Sequence, residues 1–382
     1  MRNNPKILIL TAAYGNGHLQ VSHSLQQTCI SKGIKDVTIC NLYSESHPAV
    51  TEVTEKLYKK SFTVGKQMYR LFYYGTNKVY DKKLWRWYAY YGLNRLSLLI
   101  DEIQPDILIN TFPIHAVPEF RKKTGIFIPT FTILTDFCLH RLWLHSEVDK
   151  YYVATPSLKE ELLKLNIHDK KIMVSGIPIR SNFEYHPPLE PIIEKYKVDR
   201  NTKLLLILAG AHGVLKDIYK ICEDILSTTN YQILVVCGNN KMLQKELEAF
   251  ESLHPAKFQS HGFVERIDEL FRIADCIVTK PGGITLSEIC AIGTPVILYK
   301  PVPGQEKENA FFFQEKVAAI LVEKKERLLE AVIMLLEDPK LQQVIKDSLQ
   351  NLHLPYASNT IIDDVIEESE KISLDCAWRK SV

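Results

Sequence analysis

Three segments of this chain combine glycine with polar or charged residues just past a short apolar run, where a strand gives way to a helix. The first is AYGNGH, Ala13–His18. Gly15 and Gly17 permit tight turns, and the helix expected from about His18 offers unpaired N–H groups to an anion or polar ligand. His18 there is a candidate base, although a G-x-G turn is equally a plain strand-to-helix connection. The second segment is TKPGGITLSE, Thr279–Glu288. Pro281 ends the strand, Gly282 and Gly283 let the backbone come close to a diphosphate, and the helix expected from Ile284–Thr285 points its dipole at negative charge. Glu288, about one turn in, supplies a carboxylate of the kind that accepts two hydrogen bonds from a ribose diol. A capped helix with a solvated glutamate explains the paired glycines less well. The third segment is KPVPGQEKENA, Lys300–Ala310. It groups Gln305, Glu306, Glu308 and Asn309, which suit sugar hydroxyls but also an ordinary polar loop. The second and third segments lie one strand apart, and together they are far more specific than either alone.

The elements that must hold these segments are legible as alternating apolar runs and helical stretches, the pattern of parallel sheets covered by helices. With 382 residues the chain is too long for one ordinary core, so two domains are expected. Strands are expected at 6–12, 37–40, 106–111, 130–134, 150–154 and 171–176, then at 203–210, 232–238, 276–280 and 295–300. Between the two sets lies YHPPLEP. The expected organisation is an amino-terminal Rossmann-like domain over 1–184, a linker over 185–191 and a carboxyl-terminal Rossmann-like domain over 192–355. The last helical stretch, within 356–382, is expected to pack back on the first domain. Ligands of such sheets bind beyond the carboxyl ends of the strands, here in a cleft between the two sheets. The acidic stretch Asp363–Glu370 reads as a solvated helix face.

Composition narrows the function. A net charge of +2 and 46% hydrophobic residues describe a globular protein with no overall pull toward nucleic acid. No apolar stretch reaches the roughly 18 residues of a membrane span, and the apolar run before AYGNGH is too short for a signal peptide. The eight cysteines are scattered without a C-x-x-C pair, which argues for reduced thiols and against a zinc site. Charge is nevertheless unevenly placed. Between Lys56 and Arg95 ten basic residues face one acidic residue, Asp81, and twelve aromatics share the segment. At 100° per residue Tyr58, Phe62, Gly65, Tyr69 and Phe72 fall on one helix face, with Lys56, Lys59, Lys60, Lys66 and Arg70 on the far side. Farther on, Trp85 and Trp87 accompany Lys82, Lys83 and Arg86. Rings beside cations suit an anionic lipid surface; the plainer alternative is an aromatic face packed on the sheet. A nucleic-acid reading lacks any accompanying binding module.

TKPGGITLSE followed by PVPGQEKENA, with AYGNGH at the amino end, resembles the glycosyltransferases that make monoglycosyldiacylglycerol. Plant monogalactosyldiacylglycerol synthases and bacterial processive diacylglycerol β-glucosyltransferases are among them. NTFPIHAVPEF, LTDFCLH, YYVATPSLKEEL, SGIPIR, AGAHGVLK and GFVERIDELFR extend the similarity along the chain, which is nearest to the enzymes of Gram-positive bacteria. More distantly the chain resembles the N-acetylglucosaminyltransferase that completes the lipid-linked peptidoglycan precursor. The resemblance implies an α/β fold of the GT-B type, two Rossmann-like domains facing a central cleft, with inverting chemistry. UDP-glucose would lie on the carboxyl-terminal domain, with diacylglycerol, and then glucosyldiacylglycerol, entering from the amino-terminal one. Gly282, Gly283 and Thr285 would hold the diphosphate, Glu288 the ribose, and Gln305, Glu306 and Asn309 the sugar. Phe263–Val264 would meet the uracil, and Gly210, His212 and Gly213 would line the cleft. In the plant relatives the acceptor loop is richer in glycine; here Tyr14, Gly15, Asn16 and Gly17 read YGNG, which bears on acceptor binding.

No D-x-D occurs in the sequence, so the acidic pair that holds a metal–diphosphate in metal-dependent sugar transferases is missing. Leaving-group charge then falls to a helix N-terminus, backbone amides and a nearby cation, with no metal or other cofactor expected. Inversion needs one base at the acceptor hydroxyl and no enzyme nucleophile. His18 and Asp136 are the candidates; Asp136 either orients His18, acts as the base, or is a turn residue. The expected setting is peripheral, at the cytoplasmic face of the cell membrane. Transfer of galactose or N-acetylglucosamine to another lipid-linked acceptor, or a regulatory protein that senses UDP-sugars, stays open on the sequence, as does any protein partner.

Overall fold

The computed structural model describes residues 4–12, 16–46, 66–78, 92–209 and 218–381. The chain divides into two compact units, Met1–Arg180 with Leu354–Val382, and Ser181–His353. In the first unit the apolar runs become β1 (Ile7–Thr11), β2 (Val37–Asn41), β3 (Ile107–Asn110), β4 (Thr130–Ile133), β5 (Lys150–Val153) and β6 (Ile172–Val174). They pair in parallel in the order β2-β1-β3-β4-β5-β6. Every residue of β1, β3 and β4 is buried, the mark of a strand covered on both faces and the reason these runs are continuously apolar. Between the strands run α1 (Asn16–Ser31), α2 (Leu42–Ser46), α3 (Lys66–Lys78), α4 (Leu93–Ile103), α5 (Ala116–Thr124) and α6 (Pro156–Lys164). On α4 the buried residues Leu93, Leu96, Leu99 and Ile100 recur at helical spacing, and they join Leu8, Leu10, Tyr43 and Phe120 in one apolar cluster.

The second unit repeats the plan. Its strands are β7 (Leu204–Leu208), β8 (Gln232–Val236), β9 (Phe258–His261), β10 (Cys276–Thr279), β11 (Val296–Tyr299) and β12 (Ile320–Val322), in the parallel order β12-β11-β10-β7-β8-β9. Neither β9 nor β12 stands out in the sequence. Both are edge strands: β9 is the mostly polar FQSH, with only Phe258 buried, and β12 is three residues that merge with the apolar stretch 317–319 before it. The helices are α7 (Glu190–Tyr196), α8 (Ile218–Thr228), α9 (Lys241–Leu253), α10 (Ile267–Ile273), α11 (Gly283–Ile292), α12 (Gln305–Glu315), α13 (Leu328–Glu337) and α14 (Pro339–Leu352). The proline-rich stretch 185–191, expected as a linker, lies inside this unit. The Arg272 guanidinium donates to the Pro187 carbonyl, and Pro191 sits in the first turn of α7, where a missing N–H costs nothing.

At Leu354 the chain returns to the first unit, where α15 (Ala357–Ser381) buries Ala357, Ile361, Ile362, Val365 and Ser369 along one stripe. The acidic stretch expected to be a solvated face is solvated on one side only. Asp363 meets Lys32 of α1 at 2.8 Å with its own side chain 65% exposed. Asp364 turns inward. Both of its carboxylate oxygens lie 2.8 Å from Lys150 Nζ, and Oδ2 accepts the Tyr152 hydroxyl at 2.7 Å. Burial and this carboxylate push the Tyr152 hydroxyl pKa far up, so it remains a donor.

Asp364→Ala leaves the Tyr152 hydroxyl without its acceptor and the Lys150 ammonium with only Glu368 at 3.8 Å, at sites mostly closed to water, and is expected to cost about 2–4 kcal/mol of stability. Asp363→Ala removes an exposed pair and is expected to cost less than about 1 kcal/mol. Denaturant unfolding of the two variants checks this; equal midpoints would mean that α15 docks by its apolar stripe alone.

Candidate active site

In the parallel sheet of the first unit β1, β3 and β4 end nearly level, with Leu10 paired to Asn110 and Asn110 to Thr132. The residues that follow these strands therefore gather at one edge. His18 stands in the first turn of α1, just past the carboxyl end of β1, with Gly17 half-buried beside it. Its Nδ1 lies 2.9 Å from the carbonyl oxygen of Thr111, the residue after β3, and 3.0 Å from Oγ1 of Thr135, two residues after β4. A carbonyl oxygen only accepts, so Nδ1 carries the ring proton and Nε2 keeps its lone pair. Ser22, one turn along α1, reinforces the contact: its Oγ is 2.9 Å from Thr111 Oγ1 and donates to the His18 carbonyl at 3.0 Å.

Phe112 meets the His18 ring edge-on at 5.0 Å between centroids, and Trp143 lies at 6.2 Å. Burial among these groups lowers the His18 pKa below 6.5; the nearby Asp136 charge and the Thr111 carbonyl act against that shift without reversing it. Asp136 itself is only 4% exposed. The result is an imidazole that is neutral at neutral pH, holds one fixed tautomer and has a carboxylate near enough to stabilise its protonated form. Thr111, Thr135, Ser22 and Trp143 were not singled out from the sequence. The signal was present in INTF and ILTDF, each placing a threonine just past an apolar run, but only the strand register turns both toward His18.

In the second unit β10 leads through Lys280 and Pro281 to Gly282, the N-cap of α11. Gly282 has φ −75° and ψ 137°, a conformation open to any residue, and a Cβ built on it would meet only Thr285 Oγ1 at 3.9 Å. Neither conformation nor packing demands glycine there, so its bareness leaves room for something outside the chain. No side chain caps this helix start, and the first N–H groups of a helix are the kind of group an anion can accept from. Thr285 is half-buried, Gly283 is buried, and Glu288 is 3% exposed on the inner face of α11.

The segment after β11 is fastened to this turn. Lys280 Nζ donates to the Lys300 carbonyl and lies 3.9 Å from Glu306 Oε2, which itself accepts from Val302 N at 2.8 Å. Gly304, at φ 101°, takes a backbone conformation that favours glycine and starts α12. Asn309, expected to read a sugar, is fully buried and donates Nδ2 to the Pro281 carbonyl at 3.1 Å. That bond ties α12 to the proline–glycine turn. Glu306 is likewise engaged by its own loop, while Gln305 stands half-buried in the first turn of α12. Phe263, past the end of β9, is 69% exposed, and Val264 beside it is half-buried. Tyr14, Gly15, Gly210, His212, Gly213, Lys59, Lys60, Phe62, Trp85 and Trp87 lie outside the described residues, as do the side chains of Asn16, Lys66, Tyr69 and Phe72. Arg70 is exposed on α3.

Two doubly wound parallel sheets, one in each unit, are the architecture of a glycosyltransferase of the GT-B class. The chain is similar to solved structures of that fold: MurG from Acinetobacter baumannii (TM-score 0.63, 15% identity, covering 95% of this chain and 100% of that one) and the glycotransferase of kitacinnamycin (TM-score 0.65, 16% identity, covering 96% and 99%). Residues 18–179 match the monogalactosyldiacylglycerol (MGDG) synthase family, and residues 193–351 match the glycosyl transferases group 1 family. Among curated proteins it is 53% identical to the processive diacylglycerol beta-glucosyltransferase of Bacillus licheniformis, over 97% of each chain, and 52% identical to that of Bacillus subtilis, over 98% of each. The chain belongs to the family of processive diacylglycerol beta-glucosyltransferases.

Burial lowers the pKa of His115, His140 and His145 as well as His18, that of His145 to about 3. In the unfolded chain each takes a proton near 6.5, and in the folded chain only at lower pH. Their stabilisation is therefore complete above about pH 6.5 and is lost as pH falls toward the folded-state values; His145 alone accounts for about 2 kcal/mol at pH 5. Melts at about pH 7.5 and pH 5 are expected to show a midpoint several degrees lower in acid, and a flat profile would contradict the burial of these rings.

Proposed function

We propose that this enzyme transfers glucose from UDP-glucose to the 3-hydroxyl of 1,2-diacylglycerol with inversion. It then acts again on its own product to give di- and higher glucosyldiacylglycerols. The observation that carries the reading is the His18 tautomer: Nδ1 is committed to Thr111, so Nε2 takes the proton of the acceptor hydroxyl. As that proton leaves, the acceptor oxygen bonds to glucose C1, and the bond from C1 to the β-phosphate oxygen breaks on the opposite face. UDP departs with the electron pair. Asp136 stabilises the imidazolium until it gives its proton to solvent. The negative charge gathering on the diphosphate is met by the N–H groups at the start of α11, an electrostatic role that asks for no metal.

The lipid part of the reading is supported by the basic, aromatic segment Lys56–Arg95. Within it α3 exposes Arg70 and Leu71, the latter at 74%. Among the described residues no helix is long and apolar enough to cross a membrane. In this reading the basic, aromatic segment seats the enzyme peripherally on anionic lipid at the cytoplasmic face, each cation near the surface contributing about 1 kcal/mol.

The test is turnover on diacylglycerol in anionic vesicles with EDTA present. UDP release and β-glucosyl lipid are expected, faster with UDP-glucose than with UDP-galactose or UDP-N-acetylglucosamine. His18→Ala should lower kcat by about 10²–10⁴ while leaving UDP affinity within a few-fold. Glycolipid formation unaffected by that change would remove His18 as the base. Gly282→Ala should leave the melting temperature nearly unchanged, since the added methyl meets ordinary contacts and the N-cap and chain-entropy effects offset within about 1 kcal/mol. It should weaken UDP binding at least tenfold by standing where the diphosphate approaches, about 1.4 kcal/mol or more by calorimetry. Unchanged UDP affinity would separate that turn from the donor.

A further inference from the structure

Past Asp136 the chain makes a loop that touches two different things. Its ends face the base: Thr135 Oγ1 lies on His18 Nδ1, and the Trp143 ring lies on the His18 ring. Its middle faces α3. Cys138 Sγ is 3.7 Å from the Tyr73 hydroxyl, and Arg141 N donates to Asn77 Oδ1 at 3.0 Å. His140, only 7% exposed, sits between the two. Its Nδ1 accepts from Leu142 N at 3.2 Å and so caps the short helical turn Arg141–Trp143. That acceptance puts the ring proton on Nε2, which lies 3.1 Å from the Tyr73 carbonyl and 3.2 Å from Thr76 Oγ1. The two rings of His140 and Tyr73 lie 4.6 Å apart. One neutral histidine thus joins its own loop to α3, at the segment that aims Thr135 and Trp143.

We propose that His140 is a positioning residue for the transfer: by tying the loop to α3 it holds Thr135 and Trp143 in register with His18. The proposal rests on the reading of His18 as the base. A looser tether lets the loop drift, the Thr135 contact lengthens, and the Nε2 lone pair loses its aim at the acceptor hydroxyl. The expected signature is a loss in kcat with binding spared, because His140 itself touches neither substrate.

Asparagine and glutamine separate the two halves of the role, since an asparagine amide falls near the position of Nδ1 and a glutamine amide reaches that of Nε2. H140N keeps the cap and cuts the tether. H140Q keeps the tether and loses the cap. In the vesicle assay H140N should lose about tenfold or more in kcat, with KM for diacylglycerol and UDP affinity within about twofold, while H140Q stays within about threefold of the native kcat. Native kcat in H140N, or an equal fall in H140Q, overturns the proposal. If H140N does not fold, Asn77→Ala, which cuts the neighbouring bond between this loop and α3, decides in its place: a lowered kcat with unchanged KM supports the tether, and an unchanged kcat overturns it. His18→Gln run alongside keeps the two readings apart. Native turnover in H18Q sinks the base, whereas a dead H18Q beside a fully active H140N sinks only the tether.

Discussion

On the proposed reading, the hydrogen bond from His18 Nδ1 to the Thr111 carbonyl is the contact on which the first unit's chemistry depends. An imidazole buried among Phe112 and Trp143 has two ways to be useless as a base: protonated, or neutral with its lone pair on the wrong nitrogen. Burial disposes of the first by disfavouring the cation. The carbonyl disposes of the second, because it can receive a proton and never give one. Thr135 and Ser22 add directions rather than a further decision. The Asp136 charge is placed, on that reading, to matter after the proton has moved.

That contact exists only because strands of one parallel sheet end level. Pairing Leu10 with Asn110, and Asn110 with Thr132, delivers the residues after β1, β3 and β4 to the same edge. The second unit uses the same edge of its own sheet. There β10 and β11 run side by side in register, and the turns that follow them are braced to each other by Asn309 on the Pro281 carbonyl and by Lys280 on the Lys300 carbonyl. The brace leaves the start of α11 bare, with Gly282 presenting main chain and no side chain.

What was legible in the sequence follows from this geometry. Ten of the twelve strands show as apolar runs, the central ones because a doubly covered strand has no face on which to put a polar residue. β9 hides because three of its four residues, Gln259, Ser260 and His261, are polar, and β12 because it is only three residues long. His18, Asp136 and the proline–glycine turn are visible as residue types at strand ends. Their partners are not, since a threonine past a strand is commonplace until register sets it against a histidine from another element. A polar side chain misled at Asp364, which has the composition of a surface group yet is turned inward to an ammonium and a hydroxyl. Composition reports what a side chain can bond, and only packing decides with whom.

On the proposed reading the two units divide one electrical problem. A proton leaves the acceptor as negative charge gathers on the departing diphosphate, and a metal ion is the common way to steady such a leaving group. Here both ends are handled by main-chain dipoles: a carbonyl at the end of β3 that fixes the base, and amides at the start of α11 that face the phosphate. Such groups are preorganised, because moving them would mean breaking the sheet or helix that carries them. They also cannot be removed by changing a side chain, only displaced by disturbing what holds their elements in place. The side chains most open to selection are then the braces, Ser22, Thr135, Lys280, Asn309 and His140. Not one of them needs to meet a substrate for its loss to be felt in the rate.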